Sequence, residues 1–140
     1  ADMKGQVVAV TRGFLVVPAE HPLAGKKDLN LGDLNHERFI SYHRHLPQYG
    51  LQLRALELYD ITPRYAAYLD QAEAILAMVS MGLGFSLVPS FDPAGPQRDG
   101  VVSIPLNLDE ARFQVTAMWR AEGPQNPLVD VMMSYAPTLV

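Results

Sequence analysis

One stretch limits what this chain can fold into: Asp70 to Pro89, reading DQAEAILAMVSMGLGFSLVP. Ala72, Ile75, Leu76, Val79 and Leu83 recur at helical spacing and make a single apolar stripe. Asp70, with Glu73 three residues on, forms a variant capping box and predicts a helix that starts at Asp70. Gly82 and Gly84 stop that helix, because glycine accepts the left-handed backbone and the crowding of a helix end. Phe85-Ser86-Leu87-Val88, closed by Pro89, reads as a short buried strand. A capped helix, a two-glycine stop and a buried strand make half of a parallel α/β unit.

The residues on either side extend the pattern. Arg38 to Tyr42 and Arg64 to Leu69 read as strands, and Thr62-Pro63 breaks the chain ahead of the second. Between them, Gln48 to Tyr59 reads as a helix with Leu51, Ala55, Leu58 and Tyr59 facing inward. The order β-α-β-α-β demands a parallel sheet with right-handed crossovers. Gln6 to Val17 is a further strand, and Leu31–Leu34 a single helical turn in a polar connection. Val101 to Leu106 and Arg112 to Trp119 are expected as adjacent strands joined by a turn at Asn107 to Glu110. Asn126 is placed to cap a last helix that has Pro127 at its first position and Leu128, Met132, Tyr135 and Leu139 along one face.

A chain of 140 residues with 49% hydrophobic and 19% charged residues can bury a real core and is not disordered. Fifteen Asp and Glu against eleven Lys and Arg, a net charge of -4, argue against nucleic-acid binding by this segment alone. No cysteine is present, so disulfide and thiolate chemistry are excluded. No basic-apolar leader or long apolar run is seen, which makes a cytoplasmic location with no membrane association the expectation. Enzymatic signatures fail in turn. Gly82-Leu83-Gly84-Phe85-Ser86 lacks the central serine of a nucleophile elbow. Its glycines follow a helix and precede a strand, the reverse of a dinucleotide-binding turn. Neither catalysis nor a cofactor is expected.

Ala74 to Pro89 resembles the helix–Gly-x-Gly–strand segment in the effector-binding domain of LysR-type transcriptional regulators. Phe14-Leu15-Val16-Val17-Pro18 followed by His21-Pro22-Leu23-Ala24 is similar to the start of that domain's second subdomain, and Asp33-Leu34 ahead of Phe39-Ile40 to its next landmark. These landmarks keep the family's order over roughly residues 14 to 120. The resemblance implies an α/β, type 2 periplasmic-binding-protein-like fold, with one nearly complete three-layer subdomain and part of a second. Residues 18–92 would form the second regulatory subdomain, and residues 1–17 and 93–140 part of the first. The family's N-terminal winged helix-turn-helix has no counterpart here, so DNA contact is expected only through such an element in the full-length protein. Apolar surface left by an incomplete first subdomain is expected to favour self-association into a dimer or higher oligomer.

Open parallel sheets gather ligands beyond the C-terminal ends of their strands. Here the two exits are Ser41-Tyr42-His43 and Leu69-Asp70-Gln71, and parallel strands place both on one edge. In the resembling family the effector, a small molecule, lies between the two subdomains. The position of Ser41 commonly offers it a hydroxyl, and the position of Asp70 commonly contacts it. Asp70 departs from the small hydroxylated residue expected there, and its carboxylate disfavours a purely anionic effector. His43-Arg44-His45 has the His-x-His spacing of a metal ligand pair, but beyond His36 and Glu37, which stay open as a third ligand, none is evident nearby, so no metal is expected. Tyr59, Tyr65 and Tyr68 read as packing. The primary reading is a ligand-sensing domain that controls the DNA binding of a regulator. The alternatives are a transporter's solute-binding protein with the same fold and a small α/β enzyme.

Overall fold

A computed structural model describes residues 3–26, 30–106, 112–120 and 127–135. In chain order the elements are β1 (Met3–Pro18), a 3-10 turn (Leu31–Leu34), β2 (Arg38–Tyr42), α1 (Pro47–Leu58), β3 (Arg64–Leu69), α2 (Ala72–Ser80), β4 (Ser86–Ser90), β5 (Val101–Pro105), β6 (Arg112–Arg120) and α3 (Pro127–Tyr135).

Phe14-Leu15-Val16-Val17 is buried without a break, the mark of a strand covered on both faces. Side chains alternate across a strand, so the run divides between two cores. Leu15 and Val17 join Phe39, Phe85 and Leu87 against Ala55 and Leu56 of α1. Val16 joins Ile40 and Val88 against Ile75, Leu76 and Val79 of α2. A sheet with a helix on each face is the expected three-layer α/β arrangement.

Two compact units divide the chain: Arg12–Ala111, and Ala1–Thr11 with Arg112–Val140. The larger is wider than the 18–92 anticipated from sequence, because the second half of β1 is tied into its sheet. There β1 pairs antiparallel with β4, from Arg12↔Ser90 to Val16↔Ser86, and with β5, from Phe14↔Pro105 to Pro18↔Val101. β2 and β3 pair parallel from Arg38↔Arg64 to Tyr42↔Leu69. A parallel bridge at Phe39↔Phe85 carries the ladder from β2 to the start of β4, closed by Ile40 N–H to Phe85 O at 2.9 Å and Phe85 N–H to Arg38 O at 3.0 Å. The β-α-β-α-β order therefore holds. Among the described residues β3 is left at the edge, and its register slips by one residue between Phe39 and Ile40, leaving Ala66 as a bulge.

The two glycines have different tasks. Gly82 has φ +78 and ends α2 in a Schellman motif, with Gly82 N–H to Val79 O at 2.9 Å and Leu83 N–H to Met78 O at 3.2 Å. A Cβ on Gly84 would stand 2.6 Å from the Arg38 carbonyl oxygen, so only glycine lets β4 come this close to β2.

Three expectations are corrected. The N-cap of α2 is Gln71, not Asp70: Gln71 keeps extended backbone (φ -130, ψ 141), so the exit of β3 runs on and the helix begins at Ala72 with no side-chain cap. The inward face of α1 is Gln52, Ala55 and Leu56, while Leu58 is 51% exposed; a buried glutamine replaces one apolar position of the stripe. β5 and β6 are not a hairpin, since each pairs with β1, whose 16 residues are long enough for both.

The smaller unit holds the first part of β1, β6 and α3. Helix α3 starts at Pro127 as expected. Leu128 is exposed rather than lining a core. Asn126, the Asn107 to Glu110 turn, Leu139 and the side chains of Met132 and Tyr135 lie outside the described residues.

Candidate functional site

The parallel register puts Ser41 level with Tyr68 and Tyr42 level with Leu69. One step further, His43 N–H donates to Leu69 O at 2.9 Å, so the two exits leave the sheet side by side on one edge. This matches the arrangement expected from strand order. Both exits belong to the larger unit.

Their side chains fall into a buried layer and an exposed one. Ser41 is fully buried, and its hydroxyl lies 2.8 Å from Tyr42 O and 3.1 Å from Gln52 Oε1. Gln52 Oε1 also accepts the Tyr42 N–H at 3.0 Å. From the other end of that amide, Nε2 donates to Leu87 O at 2.8 Å and reaches Ser86 Oγ at 3.4 Å, while Ser86 Oγ donates to Ile40 O. A single side chain on α1 thereby ties the ends of β2 and β4 together, and Ser41 is spent inside this network rather than presented outward. Tyr42 is buried too, and burial pushes its phenol up to about 12. Leu69 is half-buried.

The exposed layer contains His43, Asp70 and Gln71 of the expected residues, with His45 added. Leu46 N–H closes a turn onto His43 O at 3.0 Å, which folds His45 back beside His43. The two Nδ1 atoms are 2.6 Å apart, one donating and the other accepting, and the rings lie 4.4 Å apart. One ligand atom from each of His43, His45 and Asp70 falls within 4.8 Å of the others.

A second cluster borders this trio. Tyr65 and Tyr68 stack with centroids 5.8 Å apart and planes 5° from parallel. Residues three apart on a regular strand face opposite ways; the bulge at Ala66 returns both tyrosines to one face. Arg44 Nη2 donates to the Tyr68 hydroxyl at 3.1 Å, and its guanidinium lies 5.2 Å from the ring centroid. Its hydrogen bond to the Tyr68 hydroxyl raises the Arg44 pKa further. Burial raises that of Tyr65.

The opposite edge carries a cavity of about 390 Å³ lined by His21, His36, Glu37, Arg38, Arg64 and Gly84 among others. His21 Nε2 donates to both Glu37 oxygens, at 3.0 and 2.9 Å, and its Nδ1 accepts the Leu23 N–H at 3.0 Å. The sequence landmarks His21-Pro22-Leu23 and Asp33-Leu34 thus have structural work here, with Leu23 and Leu34 fully buried.

Sequence reasoning missed Gln52 and the role of Arg44, and it set His45 aside for want of a third ligand. For Gln52 the available signal was a glutamine on the apolar side of a helix; for His45 it was the His-x-His spacing, which needed the strand register to bring Asp70 alongside.

A three-layer α/β unit with polar groups gathered at its strand exits has the architecture in which open parallel sheets hold small molecules. The LysR substrate binding domain matches residues 2–138, and the chain belongs to that family. YnfL, an HTH-type transcriptional regulator of Escherichia coli (strain K12), is 28% identical over 115 residues, covering 80% of this chain and 38% of that protein. GltC, a transcriptional dual regulator of Bacillus subtilis (strain 168), is 24% identical over 115 residues, covering 82% and 38%. The chain therefore spans well under half the length of these relatives. The regulatory domain of Synechocystis CcmR, solved in complex with 2-PG, superposes with a TM-score of 0.75 at 19% identity, covering 99% of this chain and 67% of that one. The effector binding domain of QuiR, in complex with shikimate, gives 0.69 at 17% identity, covering 96% and 64%. At these identities the likeness establishes a shared fold.

Proposed function

We propose that this chain is the effector-sensing part of a LysR-type transcriptional regulator and that it takes a small polar molecule at the strand-exit edge. The observation that carries the reading is the parallel β2–β3 pairing, which sets His43 beside Asp70 and Gln71 on one open edge. The ligand would meet the exposed side chains of His43, Asp70 and Gln71, with Leu69 beneath them. Ser41 and Tyr42 would act through the Gln52 network, fixing the angle at which the exits leave the sheet. Residues 18–92 would supply the second regulatory subdomain. Binding would shift the regulator between conformations of different DNA affinity. Exposed Met118, Leu128 and Val131 support self-association as the route by which such a shift reaches a partner subunit. A cytoplasmic location suits this role, and no helix among the described residues is long and apolar enough to cross a membrane. Catalysis is not part of the proposal.

Ligand titrations followed by backbone amide shifts test it, with 2-PG and shikimate as the first compounds in a wider screen of small polar metabolites. The expected result is saturable perturbation centred on His43 and Gln71, weakened by Gln71→Ala. Perturbation confined to Arg38 and Arg64 at the opposite edge would overturn the placement.

A further inference from the structure

We infer that His43, His45 and Asp70 form a three-ligand site for a divalent transition-metal ion of the zinc type. Two independent pieces of the fold build it. The turn after β2 brings His45 back onto His43, and the parallel register places the first residue beyond β3, Asp70, next to both. One donor atom from each of the three converges within 4.8 Å.

The chemistry of the donor set selects the ion. Two imidazoles and a carboxylate suit zinc and its first-row neighbours, whereas calcium and magnesium call for an all-oxygen shell. The histidine nitrogens already point at one spot, since their Nδ1 atoms share a proton across 2.6 Å. Two nitrogens on one tetrahedral ion, each at about 2.0–2.1 Å from it, stand roughly 3.3 Å apart. Replacing the shared proton by a metal ion therefore asks the exposed rings to part by less than about 1 Å. Arg44, the cation nearest in sequence, is drawn aside by its bond to the Tyr68 hydroxyl and does not compete for Asp70.

Three protein ligands leave a coordination position open, the pattern of sites that bind a further molecule rather than of closed structural sites. The three ligands themselves lie at the strand-exit edge. A bound ion also changes which ligands the edge can accept. Asp70 alone repels an anion, but two positive charges from the ion outweigh its one negative charge, so a carboxylate or phosphate group could complete the shell. This consequence rests on the effector reading; the metal site itself does not.

Isothermal titration of untagged protein with zinc chloride, in the absence of any organic ligand, tests the site. One equivalent per chain is expected, with affinity falling about tenfold or more in each of His43→Ala, His45→Ala and Asp70→Asn. His36→Asn, at a histidine outside the trio, should leave binding unchanged. Histidine ring-nitrogen shifts on zinc addition should move for His43 and His45 and not for His21. All three ligands are exposed, so the variants should fold, and their far-UV circular dichroism checks that they do. Wild-type protein that shows no binding into the millimolar range would overturn the site, as would binding that the three substitutions leave intact. A metabolite that binds with and without zinc alike would leave the metal site standing and remove only its link to the effector.

Discussion

Gln52 decides more at the strand exits than any residue the ligand would touch. Its amide meets Ser41, Tyr42, Ser86 and Leu87, and all four partners are buried backbone groups or hydroxyls. A buried polar group stripped of its partner costs more than the bond was worth. Gln52→Leu should therefore destabilise the chain by about 1–3 kcal/mol despite similar size, seen as a lower urea midpoint at unchanged slope. Tyr42, the last residue of β2, sets a limit at high pH. Its phenol is raised from 10.0 to about 12, so the folded state holds that proton more tightly than the unfolded chain. The stabilisation is complete below pH 10 and lost as pH climbs toward 12. Tyr42→Phe should flatten the decline of stability across that window; an identical decline in both proteins would place the alkaline weakness elsewhere.

Among the elements, the α2–β4 junction shows how two glycines three atoms of backbone apart answer to different constraints. Gly84→Ala should cost about 1–3 kcal/mol, because the Arg38 carbonyl that the new Cβ meets at 2.6 Å is backbone and cannot swing away. Gly50 in α1 has nothing within 4 Å of such a Cβ, so Gly50→Ala should stabilise by up to about 1 kcal/mol. Thermal melts of the pair separate crowding from helix propensity. The same elements show what a sequence can reveal. Strands β2 and β3 were readable to the residue, because short runs with two aromatics each stand between clear turn signals. The meeting of His43 with Asp70 followed from strand order alone. The start of α2 did not, since a capping box is a local preference and the extended exit of β3 overrides it at Gln71. Gln52, whose place on the apolar side of α1 was the one signal, was passed over for a related reason: a polar residue reads as solvated until its four partners are in place. The bulge at Ala66 leaves no compositional trace at all.

For the whole molecule, charge bears on the proposed division between sensing and DNA contact. An acidic chain of net charge -4 that belongs to the LysR substrate-binding family should not hold duplex DNA on its own at physiological salt. Fluorescence anisotropy with labelled duplex checks this; tight, salt-dependent binding by these 140 residues would contradict it. The edge strand β3 carries a last consequence. A straight, unpaired strand is a template on which other chains add strand by strand. With Ala66 pushed out of line and arginine at its first position, β3 offers hydrogen-bonding groups at the wrong intervals for a partner to follow. Among the described residues this border can thus stay without a further strand, with Tyr65, His43 and Asp70 exposed along it, and still resist growing into a fibre.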